Sequence, residues 1–510
     1  MKAFTRVKVI NGREYLYEIT PYYDPVLKRN KQRSRYLGKN VDGKPVRARR
    51  MVPGNIYHYG EFIPLLDTVK SLNIIEILER YLPLEKARML LALSFNRVVR
   101  PMPFYQAQSW FETTVFEKEW DLDLAGPRVS ELLAMIGESS IPGLFSNRLV
   151  EQDSPGGTLI YDLTSLYSYS KTISLLEYGY KREHTGTRQV NLSLVMDKEK
   201  MVPLLYDVYP GTITDVTTLL NTVKKISAMG IRDYTLVLDR GFFSTSNIDE
   251  LMKNNVKYVI PATYQLKAVK QLVSKAHKTI SNPNNLRMYG KEALFVENVE
   301  LEMGEHLLKG YCYYSLKKDH NEEDSFYHRL YDLKERLERM ELKKWMKPYH
   351  VFHETCRDYS PYYTWKVADH RFHVSIKKNS VAQRVNKMGM YILFSNDDLS
   401  WDACLATYKS RDLVEKGFDM LKNDIETRPL NVQKENTLRG LLFVNFISLI
   451  LKMRLLHRMR QTGLLEKYTV ESLLFELEKI KKTELEDGTT ITTPLTKTQK
   501  DILEPLGLYA

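Results

Sequence analysis

The chain has 510 residues, 43% of them hydrophobic and 27% charged. That is ordinary globular composition, which excludes wholesale disorder or a fibrous repeat, and the length implies two to four structural units. The formal charge of +12 is concentrated at one end, because residues 1–50 carry fourteen Lys or Arg against four Asp or Glu. Such a surface attracts nucleic acid or anionic membrane, and a merely solvated basic face is the competing reading.

Cys312, Cys356 and Cys404 are odd in number and widely spaced, which fits neither a disulfide framework nor a CxxC zinc site. A reducing, cytoplasmic setting follows. The start, MKAFTRVKVINGREYLYEI, has no apolar h-region and does not read as a secretory signal. The most apolar helical stretch, residues 441–450, is too short for a membrane span and reads as a buried core helix.

Residues 7–10 and 15–19 are predicted strands facing each other across Asn11-Gly12, a two-residue hairpin turn. Asp24-Pro25 turns the chain into the basic segment KQRSRYLGK, which holds Arg33 and Arg35. Residues 1–60 thus read as a small basic β unit. From 61 to 153 the pattern is helical, with Ile74, Ile77, Leu78 and Tyr81 on one face. Trp110 and Trp120 pack this region or, if exposed, touch a ligand. Ser154-Pro155-Gly156-Gly157 marks a boundary.

Beyond it, TLIYDLTS, QVNLSLVMD and MVPLLYDVYPG are three predicted strands. A linker before the second carries Tyr180, Lys181, Arg182, His184 and Arg188. A helix over 215–229, the strand YTLVLD, a helix over 245–253 and the strand VKYVIPA complete 154–261 as a mixed α/β sheet with helices on its faces. Residues 262–400 are more heterogeneous and read as an inserted subdomain. Helical pattern returns over 401–460, and 461–510 is expected to be a helical tail.

Three acidic positions stand out. Asp162 lies inside an apolar strand, where a carboxylate is costly unless a cation or donors compensate it. Asp239 ends another apolar strand before Arg240-Gly241-Phe242, and strand ends are where an open α/β sheet presents ligands. In TYKSRDLVEKGFDMLK, Tyr408, Arg411, Glu415 and Lys422 would project from one helix as a stripe about 60° wide. That stripe suits a phosphate chain and one metal ligand, and a solvated face with Arg411–Glu415 pairing suits it too.

These residues resemble a known family. The Y-(2)-R-(3)-E-(6)-K pattern, YDLTS around Asp162 and the DRGF segment at Asp239 are similar to those of DDE transposases of the IS4 superfamily, closest in organisation to its IS1634-like branch. Pro210-Gly211-Thr212 with Asp215 resembles the family's P-G-N-x-x-D segment, with threonine in place of asparagine.

The resemblance implies an RNase H-like fold, a mixed five-stranded sheet with an insertion before the glutamate helix. It also implies Asp162, Asp239 and Glu415 as catalytic residues and ligands of two Mg²⁺ or Mn²⁺ ions, with Asp162 shared between them. Two such ions about 3.5–4 Å apart serve the attacking and leaving oxygens of a phosphodiester, and hard cations favour carboxylate oxygens. Arg411 and Lys422 would hold backbone phosphates, Tyr408 a phosphate or displaced base, and Arg188, Arg33 and Arg35 further DNA contacts.

Trp365 and Trp401 are candidate platforms for a flipped base. The expected partners are double-stranded DNA with terminal inverted repeats, target DNA and a second copy of the chain in a synaptic dimer, with no membrane. Residues 471–482 are a candidate partner surface. A nuclease that never transposes, or a non-catalytic DNA-binding descendant, shares much of this sequence.

Overall fold

The computed structural model describes residues 2–25, 28–46, 53–152, 155, 157–178, 187–213, 215–425, 430–485 and 488–509. Ser154, Gly156, Tyr180, Lys181, Arg182 and His184, which belong to the expected boundary and basic linker, lie outside those residues. The chain divides into two units, Met1–Tyr59 with Glu478–Leu495, and Gly60–Leu477 with Thr496–Ala510.

In the first unit the strands Phe4–Ile10 and Arg13–Asp24 form an antiparallel hairpin. Asn11 and Gly12 both take positive φ, 50° and 72°, the geometry whose twist matches flanking strands. Arg29–Val41 and Lys44–Val46 complete a four-stranded sheet. A separate three-stranded sheet joins Pro53–His58 to Lys481–Leu485 and Thr490–Thr492.

That second sheet corrects the expectation of a helical tail over 461–510. Val470–Glu478 and Lys497–Leu503 are helices, but the threonine-rich segments between them are strands, and Lys482 pairs with Tyr57.

The second unit is built around the helix Glu435–Gln461, which is buried along most of its length. By length and composition it could cross a membrane, yet 83% of its most apolar window is buried inside the fold. The helices Leu84–Val99 and Gly126–Glu138 cover it. Contact with the second is very close: a Cβ at Gly440 would stand 2.0 Å from the Leu133 carbonyl oxygen, and one at Gly137 1.8 Å from that of Asn436. Trp110 and Trp120 belong to an aromatic core here, Trp110 against Phe62 and Trp120 stacked on Phe116.

The other face of this unit is a ten-stranded mixed sheet. Thr158–Tyr167, Thr235–Val237 and Lys257–Pro261 run parallel at its centre. Arg188–Asp197 pairs antiparallel with Thr158–Tyr167, and Val202–Pro210 with Arg188–Asp197. Helices on its faces explain why Thr158–Tyr167 and Arg188–Asp197 read as continuous rather than alternating apolar runs.

This mixed α/β architecture is consistent with an RNase H-like core, but the sheet is larger than the five strands expected. Met390–Ser395 adds antiparallel to Lys257–Pro261, and the hairpin Glu292–Met303 with His306–Ser315 extends the sheet further. The segment 262–400 therefore contributes strands to the main sheet. Its remainder gathers on a second core, with Phe326, Leu330, Leu337, Phe352 and Phe372 buried among the helices Leu316–Arg339 and Pro348–Cys356 and the strand Arg371–Ile376.

Candidate active site

Parallel pairing sets the first two carboxylates side by side. Val237 is in register with Ile160, and two residues further along the two chains stand Asp239 and Asp162. Asp239 begins the short 3-10 turn Arg240–Phe242 at the carboxyl end of its strand. Asp239 thus lies at a strand end, where α/β folds present ligands, and Asp162 lies beside it just past the last parallel pair.

The glutamate arrives on a broken helix rather than the single one expected. Trp401–Lys409 ends before Ser410, Asp412–Asp419 restarts after Arg411, and Met420–Asp424 is a π-helical turn. Tyr408, Arg411, Glu415 and Lys422 thus come from four local settings, although Arg411 and Glu415 still lie one turn apart and in contact. The restarted helix buries Leu413, Val414, Gly417 and Phe418. A Cβ at Gly417 would lie 3.1 Å from Met196 Sδ, so the glycine lets this helix sit close on the strand Arg188–Asp197. Glu415 faces outward on the opposite side, its side chain about half exposed.

Arg411 occupies the break and joins all three acids. Its Nη2 lies 3.2 Å from Asp162 Oδ2 and 3.0 Å from Glu415 Oε1, and its Nη1 lies 2.8 Å from Asp239 Oδ1. The other oxygen of Asp162 accepts the Leu163 N–H at 2.8 Å. Burial still pushes the Asp162 carboxyl above its ordinary range, against the pull of Arg411 and of that N–H, and the charge of Asp239 adds to the rise. Burial is also the largest single influence on Arg411 and opposes its charge, but Asp162 and Asp239 more than offset it and raise its pKa. Among the described residues the buried Arg411 Nε–H has no hydrogen-bond partner.

Two other strand aspartates lie elsewhere. Asp197 is fully buried and accepts the Lys200 N–H at 2.9 Å, while Asp207 pairs with Lys225. Neither forms an ion pair with Arg411 among the described residues.

Tyr408 is half-buried against the cluster containing Val259, Tyr313 and Leu405, and burial raises its phenol pKa. Lys422 is half-buried in the π-helical turn. Arg188 is turned inward: Nε donates to the Leu176 carbonyl at 2.7 Å, Nη1 to Lys171 and Nη2 to Ile173, both at 3.2 Å. This guanidinium fastens a loop, which its position in a basic segment did not reveal. In the amino-terminal sheet Arg35 lies 3.9 Å from Glu18, and Arg33 sits over the Tyr22 ring at 5.5 Å.

Trp365 packs on Phe352 and Phe372 in the second core, and Trp401 packs against the same cluster as Tyr408. Both rings are thus engaged in packing. Gly211 approaches two carbonyls so closely that a Cβ would lie 2.6 Å from Gln189 O, and Thr212 binds the Glu177 carboxylate. The Asp215 side chain lies outside the described residues.

Residues 154–451 match the family model described as the transposase DDE domain. The match spans more than half of the chain, and the protein belongs to that family. A comparison with curated proteins gives no match. Among solved structures, the piggyBac transposase synaptic complex with hairpin DNA aligns at 12% identity and a TM-score of 0.40, covering 83% of this chain and 82% of that one.

Proposed function

We propose that the protein is a DNA transposase of the IS4 superfamily, closest to its IS1634-like branch, that cuts at transposon ends and joins them to target DNA. The observation that carries this reading is the convergence of Asp162, Asp239 and Glu415 on the one guanidinium of Arg411. Three carboxylates from distant segments share a single cation, and the one deepest in the sheet is destabilised as an anion. Their donor set is entirely oxygen, which suits Mg²⁺ or Mn²⁺.

In this reading Asp162, Asp239 and Glu415 would hold the metal, two ions in the full site. The chemistry such ions would supply there is a lower pKa for an attacking water or hydroxyl and stabilisation of the leaving oxygen. Arg411, relieved of its carboxylates, is free to bind a phosphate bidentately, with Lys422 supplying a second, mobile charge. Tyr408 walls the site. The strands Thr158–Tyr167, Arg188–Asp197, Val202–Pro210, Thr235–Val237 and Lys257–Pro261 would be the RNase H-like core that aligns the acids.

Arg33 and Arg35 belong to a basic sheet that would position inverted-repeat DNA, chiefly through phosphates. A second copy of the chain would bring paired ends together.

The test is a cleavage and strand-transfer assay with matching end DNA and Mg²⁺. The wild type is expected to do both, and Asp239→Asn to bind DNA and do neither. Unchanged cleavage by Asp239→Asn removes the assignment, and cleavage without joining makes the protein a nuclease.

A further inference from the structure

A cleft of about 520 Å³ opens beside Asp239 and Arg411, reaching from Arg240 into the inserted segment at Tyr264, Arg384 and Tyr391. Its charges are unevenly matched. Every carboxylate lining it already has a partner: Asp239 has Arg411, Glu292 has Lys409 at 3.6 Å and the Ser315 hydroxyl at 2.7 Å, and Glu322 has Lys318 at 3.9 Å and the Gly389 N–H at 2.8 Å. Arg240, Arg384 and Lys387 line the same cleft, and none forms an ion pair with a carboxylate among the described residues.

Lys387 is half-buried, and its pKa is held below the ordinary lysine value by burial first and then by Lys270 and Arg384. Like charges gathered without a counter-ion make a site that an anion completes. The wall is fixed, since the Tyr264 hydroxyl donates to the Met390 carbonyl at 2.5 Å. The volume of about 520 Å³ is that of a small-ligand pocket, the size of a nucleotide.

We propose that Arg240, Arg384 and Lys387 form a phosphate subsite that holds the backbone of the DNA strand flanking the bond at the three carboxylates. The nature of the ligand rests on the reading of the neighbouring acids as a DNA-processing site. The subsite supplies a phosphate contact distinct from those of Arg411 and Lys422 and fixes where the strand leaves the acids.

The test is calorimetric titration of the full chain in EDTA with 5′-phosphorylated trithymidylate and, separately, with pyrophosphate. The wild type is expected to bind the trinucleotide, and the Arg384→Gln/Lys387→Gln double variant to bind it at least about tenfold more weakly, as expected for losing charge-assisted hydrogen bonds. Arg384 is exposed and Lys387 partly so, so an unchanged melting temperature and circular dichroism spectrum will show that the variant folds. Equal trinucleotide binding by the double variant overturns the proposal. So does wild-type binding of pyrophosphate with none of trinucleotide, which would mark a free-phosphate site. No metal is present, so this titration is independent of catalysis: a chain that cuts no DNA yet loses trinucleotide in the double variant keeps the subsite and discards the transposase reading.

Discussion

The Arg411 guanidinium lies 3.2 Å from the Asp162 carboxylate across 249 positions of sequence, and the same group touches Asp239 and Glu415. One cation thus neutralises part of a three-carboxylate cluster at the carboxyl end of a parallel strand pair. A charge arrangement of this kind favours any further cation that can take the acids over from Arg411.

Without metal, the buried Asp162 carboxylate sets how stability depends on pH. The folded pKa of Asp162 is raised, so its stabilising contribution is complete below the unfolded pKa and is lost as pH rises through the folded one. Above the folded pKa the ionised side chain therefore costs stability. Asp162→Asn should raise the melting temperature of the metal-free protein at pH 7, by roughly 1 kcal/mol in free energy, the size common when functional-site strain is relieved. The advantage over wild type should shrink as pH falls into the carboxylate range. A lower melting temperature at pH 7 would show that Arg411 outweighs burial.

Metal should reverse that order. Mg²⁺ or Mn²⁺ at about 100 times its dissociation constant would stabilise the wild type by about 2.7 kcal/mol through linkage. Thermal melts with increasing metal should show this rise in the wild type and little of it in Asp162→Asn. Equal shifts in both proteins would place the metal elsewhere.

Lys452 is 2% exposed and is bonded to Asp424, the last residue of the π-helical turn, at 2.7 Å and to Glu471 at 2.6 Å. Although burial pushes the Glu471 carboxyl up, Lys452 more than offsets it and leaves the pKa lowered. Its contribution is present above the ordinary value of 4.5 and is lost as pH falls below that value through the folded pKa. Glu471→Gln should flatten this acid limb in unfolding measured between pH 6 and 3. Asp424→Asn/Glu471→Gln should be more destabilising than Lys452→Met, by about 3 kcal/mol or more, because only the former strands a buried charge. The reverse order would mean that the lysine matters through packing.

Gly440→Ala should destabilise the second unit by about 1–3 kcal/mol, the usual cost of overpacking, because its Cβ would overlap a backbone carbonyl rather than a movable side chain. Gly137→Ala acts on the same contact, so the double variant should cost less than the sum. Urea unfolding of the three variants checks both statements.

Local chemistry made much of this legible in the sequence. Asn11-Gly12 dictates its hairpin, and the apolar runs around Asp162 and before Asp239 could be read as strands because both faces are covered. The RxxxE spacing of Arg411 and Glu415 survives in space because the two residues still lie one turn apart. The break at Ser410 was hidden, since the same apolar spacing serves a continuous helix and two short ones. Nor could the pattern show that Met390–Ser395 would extend the sheet, because its partner lies more than a hundred residues away. Arg188 and Arg384 look alike in sequence as basic residues in polar segments. Only the fold separates a guanidinium facing three carbonyls from one lining a cleft.

The most direct measurement of the central claim is a metal-specificity switch. Cysteine in place of Asp239 supplies a soft thiolate, which disfavours Mg²⁺ more than Mn²⁺. Cleavage of end DNA by Asp239→Cys should fail in Mg²⁺ and return in part in Mn²⁺, while the wild type works in both. Cleavage by Asp239→Cys at the wild-type rate in Mg²⁺ would contradict the assignment of Asp239 as a metal ligand and, with it, the account of the three carboxylates.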